Sequence, residues 1–235
     1  MRLTCLTLAA GCLWCSGCGR HELEHNAFPL ALGIGTDESR SFHMYAAYPD
    51  LQGKDAKENV LAKDLYWDGA MDDLLEGTVQ MSEGSSRNVN LNHLKVLILE
   101  RDILESGEKK EELVTFFQEK RDAAWNSYVL LCDGGLDGIF SGELELNSCL
   151  GIYLEDLIEG WTHLERDTLI TVGDLMSQYY NADEILLIPV VSVEEKKPVV
   201  KKFAAVEDLQ YREEISMEEV FDQYTKLKVL EADVT

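Results

Sequence analysis

The chain has 235 residues, 44 of them Asp or Glu against 21 Lys or Arg, for a formal net charge of −23. With 46% apolar residues it has the composition of a folded body able to bury a core, and not that of a disordered chain. A surface this acidic repels phosphate, which excludes nucleic-acid capture and a polybasic membrane anchor.

Four of the six cysteines, Cys5, Cys12, Cys15 and Cys18, fall in the first 18 residues. Arg2 precedes an uncharged apolar run over 3–14, and the next charge is Arg20. This is the layout of an export signal, and the run is shorter than the roughly 20 residues of a membrane-spanning helix. It ends in Cys15-Ser16-Gly17-Cys18. Small residues before a cysteine resemble the lipobox of bacterial lipoproteins, in which that cysteine becomes the first mature residue and carries acyl chains. Ala9-Ala10-Gly11-Cys12 is a second such site with a shorter leader. Cys18 is the expected lipidation site and Cys12 the alternative. Cys12, Cys15 and Cys18 also match an iron–sulfur spacing, but a fourth thiolate is missing and thiolates are costly in an apolar segment. The expected organisation is a signal peptide over 1–17, a polar tether over 18–26 and a folded body from 27.

Within the body, residues 28–34 form an apolar run that closes at Gly33 and Gly35 and predict a buried strand. A turn at Asp37 and Glu38 leads to a hairpin partner over 41–48, closed by Pro49. Residues 50–59 predict a loop and 60–67 a third strand. Ala70, Met71, Leu74, Leu75 and Val79 recur at helical spacing, which predicts a helix over 70–81 stopped at Glu83-Gly84-Ser85-Ser86. The run 94–99 is continuously apolar apart from Lys95, as in a central strand covered on both faces. A helix over 111–120, a buried strand over 127–132, and helices over 150–161 and 171–180 follow. The pattern then predicts a strand over 185–193 broken by Pro189, a strand over 199–206, and a helix over 216–230. That last helix opens on a Ser216-x-x-Glu219 capping box. Alternating strands and helices predict an α/β fold, a central mixed β-sheet flanked by helices.

Motifs that could carry chemistry are few. Gly33-x-Gly35 after a strand suggests a dinucleotide turn, but Glu38 stands where the third glycine belongs and acids surround it. Residues 133–138 (Asp-Gly-Gly-Leu-Asp-Gly) resemble a calcium loop, yet Gly135 and Leu144 occupy two ligand positions of an EF-hand, so a tight turn accounts for them better. His21 and His25 have i, i+4 spacing in a stretch that otherwise reads as a solvated spacer. His93 precedes the central strand and is expected to be structural. His43 and His163 belong to no recognisable motif. Cys132 and Cys149 could pair in an exported protein, although Cys132 ends an apolar run, as a buried free thiol would. No nucleophile–base pattern is present, so no catalytic residue, metal site or cofactor is assigned and the chain is expected to be no enzyme.

In order along the chain come the lipobox, Arg20-x-Glu22-Leu23-Glu24, and Leu30-x-Leu32-Gly33-Ile34-Gly35-x-Asp37. This series resembles the start of the C-subunit lipoproteins of GerABC-type spore germinant receptors. Asn92-His93-Leu94-Lys95-Val96-Leu97-Ile98-Leu99 is similar to that family's H-L-K-V strand. Leu113-x-x-Phe116-Phe117, Tyr128-Val129-Leu130-Leu131, Gly151-x-Tyr153-Leu154 and Ile185-Leu186-Leu187-Ile188-Pro189 follow in the family's order. The resemblance implies an N-terminal α/β domain over 27–206. The family normally continues into a further C-terminal domain, so 207–235 are expected to begin a second module or a truncated extension. It also implies a non-catalytic component of a nutrient germinant receptor, anchored by lipid on the outer face of the inner spore membrane. Its partners would be a transporter-like subunit and a larger membrane subunit. The alternative is an exported lipoprotein of another class, such as a solute- or cation-binding module.

Overall fold

The computed structural model describes residues 25–38, 41–50, 64–120, 122–161, 169–181 and 185–221. Four strands lie parallel at the centre: β2 (Ala31–Gly35), β6 (Val96–Glu100), β7 (Tyr128–Cys132) and β8 (Leu186–Glu194). Antiparallel strands extend the sheet on both sides. β3 (Phe42–Pro49) and β4 (Asp64–Met71) continue from β2, while β9 (Lys197–Glu207) and β10 (Gln210–Ser216) continue from β8. The eight-stranded order is β10-β9-β8-β7-β6-β2-β3-β4. The short strands β1 (Asn26–Ala27) and β5 (Asn88–Val89) form a separate parallel pair. The expected mixed α/β sheet is observed.

Strand alternation divides the core into two layers. From β6, Leu97 and Leu99 enter one cluster, while Val96 and Ile98 enter the other. The first cluster is covered by α1 (Leu74–Ser85), α2 (Arg101–Glu105), α3 (Gly107–Glu119) and α5 (Val172–Tyr180). The second is covered by α4 (Leu150–Glu159) and by Leu136, Ile139 and Phe140 of the segment that precedes it. Both faces of β6 are fully buried, as its unbroken apolar run predicts.

Several boundaries differ from the sequence expectation. Ala70 and Met71 remain in β4, paired with His43 and Phe42. The helix starts at Leu74 because Asp73 caps it, accepting from the Glu76 amide at 2.7 Å, and it runs on past 81 to end at Ser85 within the expected stop signal, with Ser86 as its left-handed cap. α5 falls where a helix over 171–180 is expected, and Thr171 and Asp174 form a capping box at its start. Pro189 does not break β8, because the ladder to β7 begins at Val190, one residue beyond the missing N–H. Residues 210–216, within the segment expected to open another module, form β10 at the edge of the main sheet. The capping box at Ser216 is present, with Ser216 Oγ accepting from the Glu219 amide at 3.2 Å and the Glu219 carboxylate accepting from Ser216. The remainder of the helix expected to 230 lies outside the described residues.

Candidate functional site

In a parallel α/β sheet, the crevice beyond the carboxyl ends of the strands is where ligands usually bind. Here that edge is assembled from the ends of β2, β6 and β7, and the protein's own side chains fill it. Glu100, the last residue of β6, accepts from the Thr36 amide at 2.9 Å and from the Leu136 amide at 3.4 Å. Its carboxylate lies so close over Gly35 that a Cβ there would stand 2.6 Å from the carboxyl carbon. Two residues back, a Cβ on Gly33 would stand 2.7 Å from the Phe140 ring. The Gly33-x-Gly35 pair is therefore a socket for an internal carboxylate and an aromatic ring. It leaves no room for a pyrophosphate.

The loop after β7 is drawn into the same edge. Gly134 and Gly135 have φ values of 94° and 90°, the left-handed backbone that favours glycine. Asp133 meets Lys202 at 2.7 Å, and Asp137 accepts from the Tyr45 hydroxyl at 2.9 Å. Both carboxylates of the calcium-like turn are thus engaged by protein donors, and among the described residues no His, Cys, Asp and Glu cluster suits a metal ion. Lys202 also contacts Glu214 of β10 at 2.7 Å, and Glu214 in turn meets Arg101 at 2.7 Å. Arg101 sits over the Tyr211 ring, 4.1 Å from its centre. This network fastens the edge strand to the ends of β6 and β7.

His43 projects from β3 on the same side. Its Nε2 is 3.1 Å from Asp68 and its Nδ1 3.7 Å from Asp37, and its ring stacks on Tyr45 at 4.5 Å. Burial, reinforced by Asp137, pushes the Tyr45 phenol well above its usual range. Cys132, whose Sγ donates to the Gly135 carbonyl at 3.1 Å, is pushed up to about 12, first by burial and then by Glu100. Cys149 is pushed up to about 11 by burial and by Asp64. Both cysteines are buried, outside any disulfide among the described residues, and held as thiols, the wrong form for a nucleophile.

The opposite, amino edge of the sheet is built differently. Leu30 O accepts from the Lys95 amide at 2.9 Å and the Val96 amide at 3.3 Å, and Lys95 O accepts from the Tyr128 amide at 2.9 Å. Helix α4 packs so closely that a Cβ on Gly151 would collide with the Leu30 carbonyl. Asp64 caps α4 from outside, its carboxylate accepting from the Leu150 amide at 2.6 Å. Burial raises the Asp64 carboxyl above its ordinary value even though Leu150, Cys149 and Tyr66 donate to it. His93, exposed, meets Phe28 edge-on at 5.0 Å, and Lys95 pairs with Glu155 at 3.0 Å.

Cys18, Cys12, His21 and His163 lie outside the described residues. His25 lines a groove beside β5 and the end of α1. Sequence reasoning missed Glu100, Asp64 and Lys202. An acid ending an otherwise apolar strand is the one signal that could have marked Glu100. Among the described residues no helix is long and apolar enough to cross a membrane.

Comparison with known proteins agrees with the motifs. No curated protein sequence matches. The crystal structure of the GerBC protein aligns at 16% identity with a TM-score of 0.39, over 80% of this chain and 52% of that one. The chain thus spans about half the length of that protein. The family described as the spore germination protein N-terminal domain matches residues 19–193, most of the length, with the socket at Gly33 and Gly35 and the strand at 96–100 inside it. The chain belongs to that family, as a GerAC-type N-terminal region.

Proposed function

We propose that this protein is a lipid-tethered, non-catalytic component of a nutrient germinant receptor, acting in spore germination by docking with membrane subunits. The observation that carries the reading is the family match, which begins at residue 19, immediately after Cys18. The family is thus recognised from the residue after the cysteine proposed to carry the lipid. The filled carboxyl edge supports a docking role, because the usual ligand crevice is occupied by Glu100 and Phe140. Residues 1–17 are removed as a signal, 18–26 form the tether, and acyl chains on Cys18 hold the body at the outer face of the membrane. Two or three chains suffice, at about 0.8 kcal/mol per buried methylene. The partners are a transporter-like subunit and a larger membrane subunit.

The test is fractionation of cells expressing Cys18→Ala or Cys12→Ala chains, with fatty-acid labelling. Cys18→Ala loses the label and leaves the membrane fraction. A labelled Cys18→Ala chain alongside a soluble Cys12→Ala chain moves the lipid to Cys12. Spores lacking the gene germinate more slowly with at least one nutrient, and unchanged germination with every nutrient overturns the receptor role.

A further inference from the structure

Among the described residues, Lys95, Arg101, Lys196, Lys201, Lys202 and Arg212 each contact a carboxylate. Arg87, Lys109, Lys110, Lys120 and Lys197 contact none among the described residues, and of these Arg87 and Lys120 share one open groove of about 630 Å³. Glu83 is the single acid among the residues of that groove, and Val79, 56% exposed, gives it an apolar lip. In a chain of net charge −23, a surface with two uncommitted cations and one acid is an exception.

The groove also lies where the described residues end on the amino-terminal side. β1 is held against β5 by the pairs Asn26–Asn88 and Ala27–Val89, and the Asn90 amide donates to Ala27 O at 3.0 Å. His25, the next residue outward, lines the groove together with Asn88 and Val89 of β5. Cys18 precedes His25 by seven residues. That length of chain reaches about 25 Å at full extension. An anchor at Cys18 therefore keeps this face near the lipid surface, where charges beyond about 8 Å are screened and the local sign decides.

We infer that the groove face bearing Arg87 and Lys120 docks on the anionic phospholipid headgroups of the membrane that anchors the chain, with Val79 at the headgroup boundary. The inference rests on the lipid-tether reading for its proximity. The same cations have a rival role: both follow the carboxyl ends of α1 and α3, where positive charge offsets a helix dipole. The two roles differ in readout, since a dipole role lowers stability and leaves vesicle binding alone.

The experiment uses the full chain carrying Cys12→Ala and Cys18→Ala, so that no acyl chain contributes. Its binding to vesicles of phosphatidylglycerol in phosphatidylcholine is compared with binding to phosphatidylcholine alone. The apolar segment at 3–14 adds equally to every variant. Arg87→Gln with Lys120→Gln is expected to weaken binding to the anionic vesicles about thirtyfold, the loss of two cation contacts with an anionic surface. Lys109→Gln with Lys110→Gln, at the other end of α3, leaves binding unchanged, and the urea midpoint moves in neither variant. Equal losses in both double variants, no loss in either, or a loss that tracks a lowered urea midpoint overturns the inference. The tether reading is judged separately, by whether the acylated chain floats with neutral vesicles.

Discussion

The two edges of the parallel sheet are closed by different physics. At the carboxyl edge, charged side chains do the joining: Glu100 binds two loop amides, and Lys202 and Arg101 tie Asp133 and Glu214 together. At the amino edge the main chain does most of it, with Asp64 capping α4 and Lys95 paired to Glu155. Leu30, Lys95 and Tyr128 exchange main-chain hydrogen bonds, and Gly151 lets α4 lie directly on the Leu30 carbonyl. Ser127, almost fully buried, completes that edge by donating to the Leu94 and Ala124 carbonyls at 2.8 and 2.7 Å. The difference teaches which contacts salt can weaken: those at the carboxyl edge depend on charge, and those at the amino edge mostly do not.

The largest test of this contrast is Gly151→Ala. The new methyl group has a backbone carbonyl in its way, which cannot swing aside as a side chain can. A loss of about 3 kcal/mol in urea unfolding is expected. A loss below about 0.5 kcal/mol would show that α4 slides freely and that the amino edge is not sealed by main chain.

At the carboxyl edge the obstacle is a movable carboxylate, so a double-mutant cycle separates the contributions. Gly35→Ala and Glu100→Ala are each expected to cost about 2 kcal/mol, one by displacing the carboxylate and the other by leaving two amides without their acceptor. Together they cost clearly less than the sum, because the methyl meets no carboxylate once Glu100 is gone. Strict additivity would mean that the glycine is required for another reason.

The smallest effect is expected for Lys202→Ala. Its two ion pairs are partly solvated, so the loss stays below about 1 kcal/mol and shrinks further in molar salt. A salt-independent loss of several kcal/mol would place Lys202 in a buried network and would narrow the contrast between the edges.

The central architecture was legible in the sequence because its signals are local. The run at 94–99 is apolar at nearly every position, which is the mark of a strand buried on both faces, and Thr171 with Asp174 announces α5 through its own cap. β10 was not legible. Arg212, Glu213 and Glu214 give it no apolar alternation, because an edge strand is stabilised by pairs such as Arg212–Glu207 and Lys202–Glu214. Its hairpin turn was hidden too. Asp208 and Leu209 adopt φ values of 55° and 51°, as in a type I′ turn, without the glycine that usually announces one. Leu209 is 1% exposed, so burial of its side chain in the core offsets the unfavourable backbone. Helix α1 was displaced in the reading because Ala70 and Met71 fit a helical stripe as well as a strand end. Asp73 decides between them only once its cap geometry is seen. At the candidate site the glycine motif was legible as a motif. Its meaning depended on Glu100 and Phe140, which lie 65 and 107 residues from Gly35 and Gly33 and cannot be paired with them by inspection of one sequence.

The β1–β5 pair has a mechanical consequence. A pull on the chain from its amino terminus reaches Asn26 and Ala27 first, where two residues on each strand carry the load. Because these strands are parallel, force along β1 shears the pair as a unit and does not peel it one bond at a time. Beyond it the load passes to β2, which is gripped on one side by β3 and on the other by β6. Tension from the amino-terminal side is therefore delivered to a strand bonded on both sides, with the short pair as a fuse that yields before the sheet does.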